Sequence, residues 1–180
     1  MTIAAPEIAI EVDPDTGIWR TDNLPMVYLP RHFLVNNHRA VEDALGIDTY
    51  RAILQGATEK SALHWCEVQA RSYNLDREQT FHLYFQRLSQ RGWGRFTVEM
   101  LDSAACLGRI RIENSVFALE FGTGTERRVC YMFEGFMIGA FRFLIGAINK
   151  SANIYCREIC CNAHDGVEPC QFEFGLVRPD

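Results

Sequence analysis

The sequence predicts an α+β fold with an antiparallel sheet, and three observations lead to this prediction. Segments with the apolar spacing of amphipathic helices fill much of the first half of the chain. Segments in which apolar and polar residues alternate begin near residue 94. A long apolar segment then separates these from two more alternating segments. A doubly wound parallel sheet would instead show strands and helices taking turns, so we expect antiparallel strands with segregated helices.

The N-terminal part predicts a β-hairpin followed by a helix. Residues 8–20 alternate in polarity and turn at the sequence DPDTG, whose residue types favour tight turns. After a proline-containing extended segment, Asn36 or Asn37 is a candidate helix cap. This first helix is expected to run to Leu45, where Gly46 ends it.

Two further helices are expected before the alternating segments begin. The second starts near Thr49 and continues through residues 63–70, where apolar residues recur every three or four positions. The third starts after Asp76, a candidate N-cap, and stops at Gly92.

The alternating segments that follow are typical of half-buried strands. We expect strands over residues 94–102, 108–115, 116–122, 151–161 and 170–177.

A long apolar helix is expected from Cys130 to Ile148, between the third and fourth of these strands. Charged residues and glycines interrupt it, so it does not predict a membrane span. Gly135 and Gly139 lie four positions apart and therefore share one face of this helix. Glycine inside a helix costs about 0.5–1 kcal/mol relative to alanine. The missing side chains either allow close packing against another element or leave room for a ligand.

Length, charge and termini limit the classes of function. The 180 residues suit one domain, which we place at 26–180, preceded by an N-terminal extension with the hairpin at 1–25. A net charge of −5 without a basic patch argues against nucleic-acid binding. The N-terminus has no basic segment followed by an apolar core, so we expect a cytoplasmic protein without a membrane anchor. Its seven cysteines are then thiols or metal ligands rather than disulfides.

The sequence YCREICCNAHDGVEPCQF, which starts at Tyr155, concentrates four of these cysteines next to a glutamate. Thiolates and a carboxylate are ligands that suit zinc, but no C-x-x-C pair is present. Free cysteines are also common small core residues, and this interpretation stays open. Strand alternation puts Glu158 and Cys160 on one face and Cys161 on the other. Glu158 and Cys161 can therefore converge only if the strand ends or bulges near Cys160.

The sequences VCYMFEGFMIGAFRFLIG and YCREICCNAHDGVEPCQFEF resemble the C-terminal part of 4-vinyl reductase domains. More loosely, the resemblance extends over 26–177, and it is most specific in the last ~50 residues, where motif spacing is fixed. It implies a fold shared with the phenol- and toluene-sensing domains of bacterial enhancer-binding activators and with TRAPP subunits. In that fold an antiparallel sheet packs against a helical layer, an apolar cavity lies between the layers, and the domain is a homodimer. Zinc is the expected cofactor, and the ligands that the resemblance implies are Cys130, Glu158, Cys161 and Cys170, with Cys160 as an alternative to Cys161.

The resemblance favours a zinc-stabilised module that binds a small apolar or aromatic molecule and has no output domain of its own. An accessory or regulatory subunit of a larger protein complex is the alternative. Catalysis is not expected, because no glycine-rich dinucleotide motif follows a strand and a metal with four protein ligands has no open position. Aromatic residues on the predicted helices are the candidates for ligand contact: Phe81, Tyr84, Phe133, Phe136 and Phe141.

Overall fold

Two antiparallel sheets and six helices make up the part of the chain that the structure, a computed structural model, describes: residues 7–146 and 152–177. The strands are β1 (Glu11–Val12), β2 (Trp19–Thr21), β3 (Leu24–Met26), β4 (Arg95–Asp102), β5 (Leu107–Glu113), β6 (Ile154–Cys160) and β7 (Cys170–Leu176). The helices are α1 (Arg31–Leu45), α2 (Ile47–Tyr73), α3 (Arg77–Gln90), α4 (Val116–Phe121), α5 (Met132–Ile145) and α6 (Asn162–Asp165). Helices together with antiparallel sheets confirm the predicted α+β class.

The larger sheet has the strand order β4-β5-β7-β6, with antiparallel pairing throughout. The smaller sheet is formed by β1, β2 and β3, and it confirms the hairpin predicted over residues 8–20. The proposed division of the chain at residue 25 stays a prediction. No helix of the described residues is long and apolar enough to cross a membrane.

Helix α5 lies at the centre of the fold, between α2 and the strands β6 and β7. Its two glycines face α2 at very close range. A Cβ atom added to Gly135 would overlap Thr58, and one added to Gly139 would lie 2.8 Å from the Ala62 Cβ. Of the two interpretations of this glycine pair, the structure therefore supports close helix packing.

Three helices differ from or refine the sequence predictions at their ends. Helix α1 starts at Arg31 instead of after Asn36 or Asn37, because the Pro30 carbonyl accepts from the amide of Leu34 at 3.2 Å and so begins the helix earlier. Helix α3 has the predicted cap, since the Asp76 side chain accepts from the Gln79 amide at 2.8 Å. The long apolar helix is α5, and its predicted end at residues 147–148 lies outside the described residues.

The segment 116–122, predicted as a strand, forms the short helix α4, and that prediction was wrong. The side chain of Ser115 accepts from the amide of Ala118 at 3.4 Å and caps a helical turn. Asn114 just before it has a positive φ of 54°, which ends strand β5. Val116, Phe117 and Ala118 are all buried, so the apparent alternation of the sequence does not correspond to two faces.

Candidate functional site

A bulge at the end of β6 brings Glu158 and Cys161 to the same place. The register of β6 against β7 shifts between Glu158 and Cys160, and the strand ends at Cys160. This is the irregularity that convergence of the two side chains requires, because it cancels the alternation of faces. The single turn α6 and Gly166, with a left-handed φ of 70°, then reverse the chain toward β7.

Cys170 and Cys130 complete a buried group of four potential ligands. Cys170 is the first residue of β7 and pairs with Ile112 of β5, which fixes it beside the end of β6. Cys130 lies two residues before α5. The ligand atoms of Cys130, Glu158, Cys161 and Cys170 all lie within 4.8 Å of one another.

Two sulfur–sulfur distances within this group fit a tetrahedral metal ion. The Cys130 Sγ lies 4.0 Å from the Cys161 Sγ and 3.9 Å from the Cys170 Sγ. Zinc–sulfur bonds of about 2.3 Å put two ligands of a tetrahedron about 3.8 Å apart. The Glu158 Oε2 accepts from the Cys130 amide at 3.0 Å, whereas its buried Oε1 has no protein partner. Three sulfur atoms and one unpartnered carboxylate oxygen thus form a donor set that suits zinc.

Protonation within the group follows from its burial and internal hydrogen bonds. The thiols of Cys130 and Cys170 interact with the Cys161 sulfur and lower the Cys161 pKa far below its ordinary value. Burial raises the pKa of Cys130 and of Glu158, because each anion would be removed from water. A divalent cation would offset this cost for Cys130 and Glu158.

Neighbouring polar groups hold the ligands in position, and the sequence analysis did not identify them. Arg128 donates to the Glu158 carbonyl at 2.9 Å and pairs with Asp165 at 3.3 Å. Asp165 accepts from the Cys161 amide at 2.7 Å, which fixes the turn that carries this ligand. On the helix side, the buried Glu134 accepts from the Glu158 amide at 3.2 Å. Their residue types are common at protein surfaces and in ion pairs, so the one sequence signal for them is that each lies within a few residues of a potential ligand.

The other chemically suggestive residues of this segment lie outside the four-atom group. Cys160, the alternative to Cys161, is partly exposed at the end of β6. The Cys156 sulfur is buried and contacts the Met137 sulfur at 3.7 Å. His164 pairs with Asp165 at 2.9 Å and is not one of the converging side chains.

The second feature of this region is an aromatic cavity of about 410 Å³ between the smaller sheet and the helices. Ligand cavities commonly measure about 300–1,000 Å³. The Trp65 Nε1–H group at its wall is buried and has no hydrogen-bond partner. A larger depression of about 620 Å³ lies at the edge of the sheet, but Tyr155 is the one ring among its lining residues. The aromatic cavity is lined by Leu24, Pro25, Met26, Ser61, His64, Trp65, Tyr84, Leu88, Arg91, Trp93 and Phe136.

The structure divides the five aromatic residues proposed for ligand contact into two sets. Tyr84 and Phe136 line the aromatic cavity. Phe81, Phe133 and Phe141 are fully buried in the core, where Phe141 contacts Phe174 with ring centroids 5.0 Å apart. Trp65 and Trp93, which also line the cavity, lie on or next to the predicted helices.

Comparison with solved structures shows that this fold occurs in two functionally different settings. A crystal structure of the phenol-responsive sensory domain of the transcription activator PoxR, with phenol, has a TM-score of 0.75 and 19% sequence identity, covering 93% of this chain and 84% of that chain. A trafficking protein particle complex subunit 3 from Naegleria fowleri, covalently bound to palmitic acid, has a TM-score of 0.57 and 11% identity, covering 82% of this chain and 95% of that chain. The fold expected from the resemblance is thereby confirmed.

Sequence comparison places the chain in a family without an assigned activity. No curated protein matches the sequence significantly. The family profile that does match is a domain of unknown function, DUF5943, over residues 4–99, and not a 4-vinyl reductase profile. The matched region includes most of the residues that line the aromatic cavity but none of the four potential metal ligands. Because this match spans more than half of the sequence, the chain belongs to the DUF5943 family.

Proposed function

We propose that this protein is a zinc-stabilised module that binds a small apolar or aromatic molecule. The observation that carries the proposal is the position of α5. Phe136 of this helix forms part of the wall of the aromatic cavity, and Cys130 precedes the same helix within the four-ligand group. Phe136 lies six positions after Cys130, in the second turn of the helix. The wall of a ligand-sized cavity and one candidate metal ligand therefore belong to the same helix and the residues that lead into it.

Zinc would have a structural task in this arrangement. It would link the segment before α5 to the end of β6 and the start of β7, which lie 28 or more residues further along the chain. Four protein ligands leave no open coordination position, so we propose that the protein binds its ligand without transforming it. The similarity to the phenol-responsive sensory domain of PoxR supports a binding role through the shared fold.

The zinc proposal is tested by elemental mass spectrometry on protein purified without added metal or chelator. We expect about one zinc per chain, because the group has a single set of four ligands. Cys170→Ser should lose the metal, whereas Cys160→Ser removes a neighbouring thiol outside the group and should keep it. If the wild-type protein contains no zinc and all seven thiols are titratable after unfolding, the zinc proposal is refuted and the clustered cysteines are ordinary core residues.

The binding proposal is tested by calorimetry and thermal unfolding with phenol, toluene and larger aromatic compounds. A ligand at 100 times its Kd should stabilise the folded state by about 2.7 kcal/mol. Trp65→Phe keeps an aromatic ring at this position but removes the unpartnered N–H donor, so it should weaken the binding of ligands that carry an oxygen acceptor. Trp19→Phe, at an exposed position outside the cavity, is the matched control. If saturating concentrations of every compound left the unfolding temperature unchanged, the binding role would be refuted.

A homodimer or a subunit of a larger complex is the second candidate, and an exposed apolar strip favours it. Val27, Tyr28 and Leu29 precede α1 and are 77%, 49% and 52% exposed, and Phe33 in its first turn is 55% exposed. Such a strip is costly to leave in water. Light scattering on the purified protein tests for a dimer, and Leu29→Asp with Phe33→Asp should abolish it. A monomer that purifies from native lysate without a partner would contradict both forms of this candidate.

A further inference from the structure

Two polar groups in the wall of the aromatic cavity are hydrogen-bond donors without a partner. The Nε1–H of Trp65 and the Nε–H of Arg91 are both buried and both lack a partner. No carboxylate is among the described residues that line the cavity. An unpaired buried donor costs roughly 1–3 kcal/mol, so a ligand that presents an acceptor would relieve a cost already present in the protein.

Arg91 also brings a positive charge to the cavity that its surroundings do not fully balance. Its Nη2 pairs with Asp22 at 2.7 Å, but the same carboxylate accepts from the Arg87 Nε at 3.1 Å. Two guanidinium groups therefore share one carboxylate. The side chains of Arg91 and Asp22 are 10% and 5% exposed, so water screens this excess positive charge only weakly.

The Arg91 guanidinium is held in place before any ligand arrives. Asp22 lies in the turn between β2 and β3 with a φ of 53°, and its carbonyl accepts from the Gln69 side chain at 2.9 Å. The Arg91 guanidinium lies 5.6 Å from the centre of the Trp65 ring. Ion pairing and stacking together fix its orientation, so little side-chain entropy remains to be lost on binding.

We infer that the aromatic cavity takes a small aromatic carboxylate, whose ring lies among Trp65, Tyr84 and Trp93 and whose carboxylate binds Arg91. This inference rests on the proposed binding function and narrows its ligand class. A planar guanidinium matches a carboxylate better than it matches a neutral hydroxyl. The aromatic wall supplies apolar burial, and the Trp65 N–H supplies a second donor.

The experiment compares each acid with its neutral isosteric amide by calorimetry at pH 7.5, using benzoate with benzamide and 1-naphthoate with 1-naphthamide. A charge-assisted hydrogen bond predicts that the acid binds roughly 10- to 100-fold more tightly than the amide. Arg91→Gln should remove this preference. Arg95→Gln makes the same change in net charge at a position outside the cavity and should preserve it. Asp22→Asn, which tolerates the positive φ, should strengthen acid binding because it removes the competing negative charge but keeps an amide oxygen that can accept from Arg91.

The outcomes separate this inference from the proposed function. If an amide or a neutral phenol binds as tightly as the acids, the cavity binds aromatic compounds but the charge inference is overturned. If no acid, amide or phenol binds, the proposed function fails as well. Should Arg91→Gln not fold, the preference of the wild-type protein for acid over amide, and its increase in Asp22→Asn, still decide the question.

Discussion

Close packing between α2 and α5 makes Gly139→Ala the most informative test of the fold. Alanine would normally stabilise a helix interior by about 0.5–1 kcal/mol relative to glycine. In the native structure, however, the added Cβ would lie 2.8 Å from the Ala62 Cβ and would overlap the Glu59 carbonyl oxygen, whereas ordinary contacts measure 3.4–4 Å. A backbone carbonyl cannot rotate away, so the helices would have to separate by more than half an ångström.

Overpacking of this kind costs about 1–3 kcal/mol, which exceeds the gain in helix propensity. We therefore expect Gly139→Ala to lower the free energy of unfolding by about 1–2 kcal/mol, or by roughly 2–8 °C in Tm for a domain of this size. Gly56 provides the matched control, because it lies within α2 and an added Cβ would meet nothing within 4 Å. Gly56→Ala should stabilise the protein. Urea unfolding with an unchanged m-value measures both effects, and an equal gain from the two substitutions would refute the packing argument.

Three further predictions concern buried polar groups and a helix cap. Burial lowers the pKa of His38 below its ordinary 6.5, so the unfolded state binds more protons than the folded state, and stability should fall as the pH drops below about 6.5. The difference between the unfolding midpoints at pH 7.5 and pH 5.5 should be smaller in His38→Gln than in the wild-type protein. Arg51→Met should cost about 1–3 kcal/mol, because it leaves the buried Glu134 carboxylate without its bidentate partner, and adding Glu134→Gln should recover much of this loss in urea unfolding. Asp76→Ala should cost about 1 kcal/mol through loss of the α3 cap, and an unchanged midpoint would contradict the capping role.

Local sequence signals predicted most of the fold because the physics behind them is itself local. The cap at Asp76 and the strand periodicities depend on neighbouring residues, and the structure reproduces them. The segment 116–122 failed because its alternation was accidental. Burial of three consecutive residues in α4 depends on what packs around them, which periodicity cannot show.

The candidate site was predictable only in part, for the same reason. The cluster within 155–172 offered several candidate ligands, and strand alternation required that β6 end or bulge near Cys160 for Glu158 and Cys161 to converge; the structure contains that bulge. Cys130 lies 28 residues before Glu158, and only the resemblance to a known family connected the two. The ion pair of Arg91 with Asp22 spans 69 residues of sequence, and no local pattern could have revealed it.

The arrangement around α5 also suggests why a metal and an apolar cavity would occur together in one domain. At Phe136 one side of the helix faces the cavity, so it lacks the packing contacts that a fully packed core would supply there. The glycine contacts with α2 and the four-ligand group before the helix hold it on other sides. Fixing the helix at these points lets the protein keep a ligand-sized opening beside its core without losing the position of the wall. A metal held by the four-ligand group would then stabilise a preformed cavity and so reduce the entropy lost when a ligand binds.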